Sequence, residues 1–252
     1  MSFIYNLNIM NNNYLNFRPG DIDKPIFRIV SCKRFNKMLK SRTNGLVRPK
    51  MWDDPFENFI LNGLAVASDG TKAKFGYRDS LYGQCWSFHV ETDAMWRIYS
   101  PQNDKRGVKL KTTIKDLFSS LYISCPAYKD ISCFVGRVTY LSKAGIETAL
   151  SKVNATDSSG RGIAATLLIK RKAFAPEREV RLVYFNNDPA FTSDIFTYSI
   201  DPNALFKDAV LDPRLSDKEV FYWKQQFRKS GFTNRVIQSG LYKPPKNIFV
   251  RI

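Results

Sequence analysis

The apolar residues of this chain come in short runs, and no other feature restricts its fold as strongly. "IFRIV", "IAATLLI" and "RLVYF" are five to seven residues long. A helix needs roughly 20 apolar residues to cross a bilayer, whereas a strand needs about five or six. Between these runs lie stretches with apolar residues at helical spacing, and the two kinds mix without strict strand–helix–strand alternation. That pattern predicts an α+β protein with a mixed, mostly antiparallel central sheet flanked by helices. The N-terminal "MSFIYNLNIMNNNYLNF" has no basic stretch followed by an apolar core, so it does not read as a secretory signal. The expectation is an irregular arm over 1–24 and a single α+β domain over 25–252, cytoplasmic and without a membrane partner.

Local patterns place the elements. "PIFRIVS" (25–31), "LYGQCWSFHV" (81–90) as far as Ser87 or Phe88, "RGVKLKTT" (106–113), "CFVGRVTYL" (133–141), "REVRLVYF" (178–185), "KDAVLDP" (207–213) and "NRVIQS" (234–239) read as strands. "DIFTYSI" (194–200) is expected to pair with 178–185. Helices are expected at 32–41, 91–100, 143–153 and 163–174, with a capped one in "TTIKDLFSSL". The clearest is 216–231, where Ser216 caps, a glutamate follows three residues later and a glycine ends the run. The two prolines of "NGLVRPKMWDDPFENF" (44–59) predict a shaped loop opening on a turn.

Charge narrows the partners. Lys and Arg number 39 against 23 acids, a net +16, spread along the chain rather than gathered in a tail. Such a surface attracts polyanions, nucleic acid foremost. Cys32, Cys85, Cys125 and Cys133 show no CxxC pairing, and His89 stands alone. Neither zinc nor a disulfide framework is expected, only free thiols. No GxSxG elbow, GxxxxGK[ST] loop or HExxH is present.

Four stretches carry chemistry: "DDPFE" (53–57), "CWSF" (85–88), "AMWRIYSPQNDKRGVKL" (94–110) and "FAPEREVRLV" (174–183). In order, they resemble the NDPFE, CFS, MWxxY and ExExR motifs of a widespread bacterial domain family of unknown function. Asp53 replaces the usual Asn, Trp86 the Phe, and Lys105 or Arg106 stands where that family has a histidine. The same order also resembles a compact ADP-ribosyltransferase. That resemblance implies an arginine on a first core strand (Arg28), a serine on a later one (Ser87) and an ExE pair on a third (Glu177, Glu179). It further implies NAD as substrate and an enzyme of the NAD-dependent glycosyltransferase type. Glu179 would be the catalytic carboxylate, facing Arg28 across a hollow, with Glu177 beside it. A carboxylate there grips the ribose 2′-hydroxyl and stabilises the oxocarbenium-like sugar. Arg28 and Arg181 would meet the dinucleotide's charge, and Trp96 and Tyr99 would stack on nicotinamide. The implied setting is a toxin or phage-defence effector. Its acceptor would be nucleic acid or a protein bound to it, and an antitoxin or defence-complex subunit could be its partner.

The same residues admit other readings. Glu179 and Arg181 share one strand face and can form an ion pair. Met95, Trp96 and Tyr99 sit at helical spacing, as core residues do. Asp53, Asp54, Glu57, Glu177 and Glu179 could hold Mg²⁺ in a metal-dependent nuclease. A non-catalytic nucleic-acid-binding subunit is the third possibility.

Overall fold

The computed structural model describes residues 12–52, 64–66, 69–74, 78–100, 107–125, 128–153, 157–186 and 188–244. The first seven strands are β1 (Tyr14–Leu15), β2 (Pro25–Ser31), β3 (Thr43–Val47), β4 (Leu64–Val66), β5 (Lys72–Lys74), β6 (Leu81–Ser87) and β7 (Gly107–Thr113). They are followed by β8 (Cys133–Arg137), β9 (Thr139–Leu141), β10 (Ile169–Arg171), β11 (Glu179–Phe185), β12 (Ile195–Ser199), β13 (Asp208–Leu211) and β14 (Arg235–Gln238). The first four helices are α1 (Cys32–Ser41), α2 (Asp93–Tyr99), α3 (Ile114–Ser124) and α4 (Lys129–Ser132). The others are α5 (Lys143–Ser151), α6 (Arg161–Thr166), α7 (Pro202–Leu205) and α8 (Asp217–Lys229). Among the described residues no helix is long and apolar enough to cross a membrane. The α+β class and the mostly antiparallel pairing read from the sequence are those of the structure.

The chain divides into two compact units, each gathered from three segments. The first comprises Met1–Ile26, Thr43–His89 and Thr113–Ile200. Its middle strand is β11, whose residues from Glu179 to Tyr184 are all buried, as both faces of a covered central strand must be. Antiparallel β6 lies on one side, with Glu179 opposite Ser87 and Phe185 opposite Leu81. Antiparallel β8 lies on the other, placing Arg181 opposite Gly136. β1 adds to β8 in parallel, held by the Asn13 side-chain amide, which donates to the Cys133 carbonyl at 2.7 Å. Leu15, Leu81, Phe134, Leu167, Leu168 and Val183 form the core beneath, with Trp52 packed against it.

The second unit comprises Phe27–Arg42, Val90–Thr112 and Asp201–Ile252. Its strands run in the order β2, β7, β13, β14. Helix α1 starts at the Ser31 cap and buries Cys32, Phe35 and Leu39. Helix α8 carries the expected capping box between Ser216 and Glu219 and buries Val220, Trp223 and Phe227. Phe35 is their meeting point, edge-on to Phe206, Phe227 and Phe232 at 5.7, 4.8 and 5.3 Å between ring centres. Such edge-to-face contacts add roughly 0.5–1.5 kcal/mol each beyond the area they bury.

Four expectations are corrected. Asn44–Gly45 is not a turn but part of β3, because the Asn44 amide is buried, donating to the Tyr198 hydroxyl at 2.8 Å and accepting from Gln84 at 2.8 Å. Residues 195–199 pair with β3 and not with β11, whose two edges are taken by β6 and β8. The strand expected over 133–141 is broken at Val138: its N–H still reaches the Glu179 carbonyl of β11 at 3.0 Å, but the next N–H, of Thr139, turns away to the Leu168 carbonyl at 2.7 Å. The helix expected over 163–174 runs only from Arg161 to Thr166. Beyond it, Ile169–Arg171 extends to pair in parallel with Thr139–Leu141, so strand pairing overrides local helix propensity.

Candidate active site

The residues before β11 form a tight corner. Lys172–Glu177 make a 3-10 turn, and Arg178 closes it with φ 46 and ψ 51, a left-handed conformation that costs a non-glycine residue about 1 kcal/mol. The two acids of "EREVR" therefore do not converge by strand alternation, since Glu177 precedes the strand. They converge because the left-handed residue reverses the chain between them. Three contacts hold this corner to the end of β6. The Ser87 hydroxyl donates to the Glu177 carbonyl at 2.7 Å. The Phe88 N–H donates to the Arg178 carbonyl at 3.1 Å. The His89 ring nitrogen lies 2.5 Å from the Pro176 carbonyl oxygen.

Four charged side chains close over one another there. The Lys170 ammonium lies 2.5 Å from Glu177 Oε2 and 3.3 Å from Glu179 Oε1. Arg181 grips Glu179 Oε2 with Nε at 2.8 Å and Nη2 at 2.5 Å, a charge-assisted fork. The Arg181 Nη1 group donates to the Leu167 carbonyl at 2.7 Å, and its guanidinium lies 4.6 Å from the Trp52 ring centre. Lys170, Glu179 and Arg181 are only 6%, 7% and 1% exposed in their side chains, while Glu177 retains 25%. The Tyr140 hydroxyl accepts from the Glu179 N–H at 2.8 Å.

Burial acts on both carboxyls, and their neighbours decide the outcome. At Glu177 burial dominates and, despite Lys170, the pKa is pushed up to about 7, with the negative charge of Glu179 adding to the rise. At Glu179 burial also opposes the charge, but Arg181 and Lys170 outweigh it and hold the carboxyl below the usual range. Two adjacent acids thus have different protonation behaviour near neutral pH: Glu179 is an anion, and Glu177 is poised to exchange a proton.

Glycines make the close approaches possible. A Cβ on Gly136 would stand 2.1 Å from Leu168 Cδ1. Its absence lets the Leu167–Leu168 segment settle onto β8, where the Leu167 carbonyl reaches Arg181. A Cβ on Gly83 would stand 2.5 Å from Trp52 Cζ2, so bare backbone there gives the indole room to cover Arg181.

Of the residues singled out in the sequence, Glu177, Glu179, Arg181 and Ser87 come together in the first unit. Arg28, Trp96 and Tyr99 belong to the second. Arg28 is half-buried on β2. Trp96 is fully buried, its indole N–H donating to Glu91 Oε1 at 2.7 Å, and Tyr99 is 42% exposed. The guanidinium that Glu179 meets is that of Arg181, so the ion pair read as an alternative is present. Asp53, Asp54 and Glu57 of "DDPFE", and Lys105 and Arg106, lie outside the described residues. No group of three or more His, Cys, Asp or Glu able to hold a metal ion occurs among the described residues. The sequence reading missed Lys170 and Trp52. A basic residue ending the apolar run "LLIK", and a tryptophan directly before "DDPFE", were the available signals.

No family model matches this chain, and no curated protein matches it. The motif resemblance therefore rests on the four quoted stretches alone. Among solved structures the chain is similar to DarT from Thermus sp. 2.9 in complex with ADP-ribosylated ssDNA, with TM-score 0.40 and 12% identity over 86% of this chain and 94% of that one. It is similar to the same protein with carba-NAD⁺, at TM-score 0.39 and 12% identity over 88% and 97%. With NAD⁺ the values are 0.40 and 14% over 88% and 98%. At these TM-scores the likeness is one of partial shape, and the chemistry rests on the side chains described above.

Proposed function

We propose that this protein is an NAD-consuming ADP-ribosyltransferase with Glu179 as its catalytic carboxylate and nucleic acid, or a protein bound to it, as acceptor. The observation that carries the reading is the pairing of Glu179 with Ser87 across β11 and β6, with Glu177 sharing the Lys170 ammonium beside them. In the reaction, the bond between nicotinamide and ribose C1′ breaks and its electron pair leaves with nicotinamide. Glu179, kept anionic by Arg181 and Lys170, accepts from the ribose 2′-hydroxyl and offsets the positive charge on the sugar. The acceptor's nucleophile forms the new bond to C1′, and its proton passes to Glu177, whose affinity for a proton near neutrality suits that step. An enzyme that consumes NAD and modifies nucleic acid harms the cell that makes it. The proposed setting is accordingly a cytoplasmic toxin or phage-defence effector, with an antitoxin or complex subunit holding it in check.

A second reading is favoured by one observation: Glu179 is only 5% exposed, and both of its oxygens are met by cations. On that reading the acids are a structural charge cluster and the protein is a nucleic-acid-binding subunit without catalysis. Incubation with labelled NAD and single-stranded oligonucleotides, following label transfer and nicotinamide release, separates the two. Transfer that falls at least about 100-fold in Glu179→Gln supports the enzyme. Wild-type protein inert in both measurements leaves the binding subunit. Breaking a buried ion pair costs about 3–5 kcal/mol, so thermal unfolding is followed in each variant. Glu177→Gln is the second arm, expected to lose transfer while retaining NAD cleavage.

A further inference from the structure

Helices α1 and α8 are packed together through Phe35 and Phe227, and their outer faces enclose an open groove of about 770 Å³. One wall is a row of lysines. Lys33, Lys37 and Lys40 of α1 line it, all exposed. Their i, i+4, i+7 spacing sets three ammonium groups along about 10 Å of helix. No acidic side chain among the described residues pairs with any of the three. The opposite wall is Tyr222, Trp223 and Gln226 of α8. Tyr222 is 53% exposed, its ring braced edge-on against Trp223 at 5.1 Å. The Trp223 Nε1–H is buried without an acceptor, one of two such side-chain atoms among the described residues.

A cation row facing a braced, half-exposed aromatic ring is the arrangement that holds a single strand of nucleic acid. Phosphates follow the lysines while a base stacks on the ring. An acidic protein would use the lysines and leave the tyrosine unexplained. A duplex keeps its bases stacked internally and gains nothing from it. We propose that the α1–α8 groove is a binding site for single-stranded nucleic acid, with the backbone on Lys33, Lys37 and Lys40 and a base on Tyr222. The site takes its partner class from the function proposed above but does not depend on the reaction there. The full chain would bind strands whether or not it consumes NAD.

The experiment measures binding of fluorescent oligo(dT) and oligo(rU) to the intact protein across a salt series, beside a duplex and heparin. Replacing the three lysines by alanine is expected to reduce the slope of log K against log salt by about 2, for three contacts on a single strand. Tyr222→Ala is expected to weaken the single strands about tenfold, leave heparin unchanged, and abolish photocrosslinking of a bromouracil-containing strand to position 222. Nicotinamide release, measured on the same preparations, should be unaffected by either change. A lysine variant with wild-type slope overturns the proposal. So does a duplex that binds as tightly as the single strands, or a Tyr222→Ala variant that binds them normally, which would make the groove a surface for polyanions in general. A wild-type chain that binds the strands but releases no nicotinamide would count against the proposed reaction alone.

Discussion

Glu177 shows how one side chain's surroundings become a property of the whole protein. Its folded pKa of about 7 stands above the ordinary 4.5, so the folded state binds that proton more tightly than the unfolded chain does. The resulting stabilisation is fully present below about pH 4.5 and is lost as pH rises through about 7. Glu179 works in the opposite sense: its lowered pKa stabilises the fold above the ordinary carboxylate range, and that contribution is lost as pH falls through the depressed value. Glu177→Gln removes the first effect, together with the Glu177 hydrogen bond that helps lower Glu179. Its stability relative to wild type should therefore improve between pH 5 and 8, by on the order of 2–3 kcal/mol. Denaturant titrations of both proteins across that range check it, and a gap independent of pH would refute the assignment. The ExE pair and Arg181 were legible in the sequence because they are consecutive. Lys170 was not, since its approach to the acids depends on a strand pairing 30 residues away in the chain.

Among the elements, β8 has the least room for change. Gly136 lies opposite Arg181 on one side and Leu15 on the other, with Leu168 pressed onto it. Gly136→Ala should destabilise by about 1–3 kcal/mol through overpacking and loosen the hold of the Leu167 carbonyl on Arg181. Equilibrium unfolding measures the first effect. A rise in NAD-independent proteolysis near 161–170 would report the second. Elements whose pattern was decided by their own residues were read correctly: α8 from its capping box and buried stripe, α1 from Phe35 and Leu39, β11 from its apolar run. The misread ones were decided elsewhere. β3 resembles a loop because Asn-Gly favours turns, but the buried amide network around Asn44 and Gln84 holds it extended. β10 resembles a helix end because leucine and isoleucine suit both states, and only its partner β9 selects the strand.

At the scale of the molecule, neither unit is a continuous stretch of chain, and each is completed only by its last segment. Phe35, near the start of the second unit, finds its aromatic partners at 206, 227 and 232. Ending the chain at Ile200 should therefore leave α1 without a core and open residues 32–41 to limited proteolysis, while β6, β8 and β11 keep their ladder. Protection of 32–41 in that truncated chain would contradict this account. Composition and periodicity determined the α+β class, the strongly cationic surface and the position of most strands and helices, because these follow from side-chain type and local spacing. Tertiary structure alone decided that Lys170 joins Arg181 on Glu179, that Glu177 is pushed toward a neutral form, and that three lysines of α1 face Tyr222 of α8. Each depends on distances between residues remote in the chain, which local propensity does not encode and only packing sets.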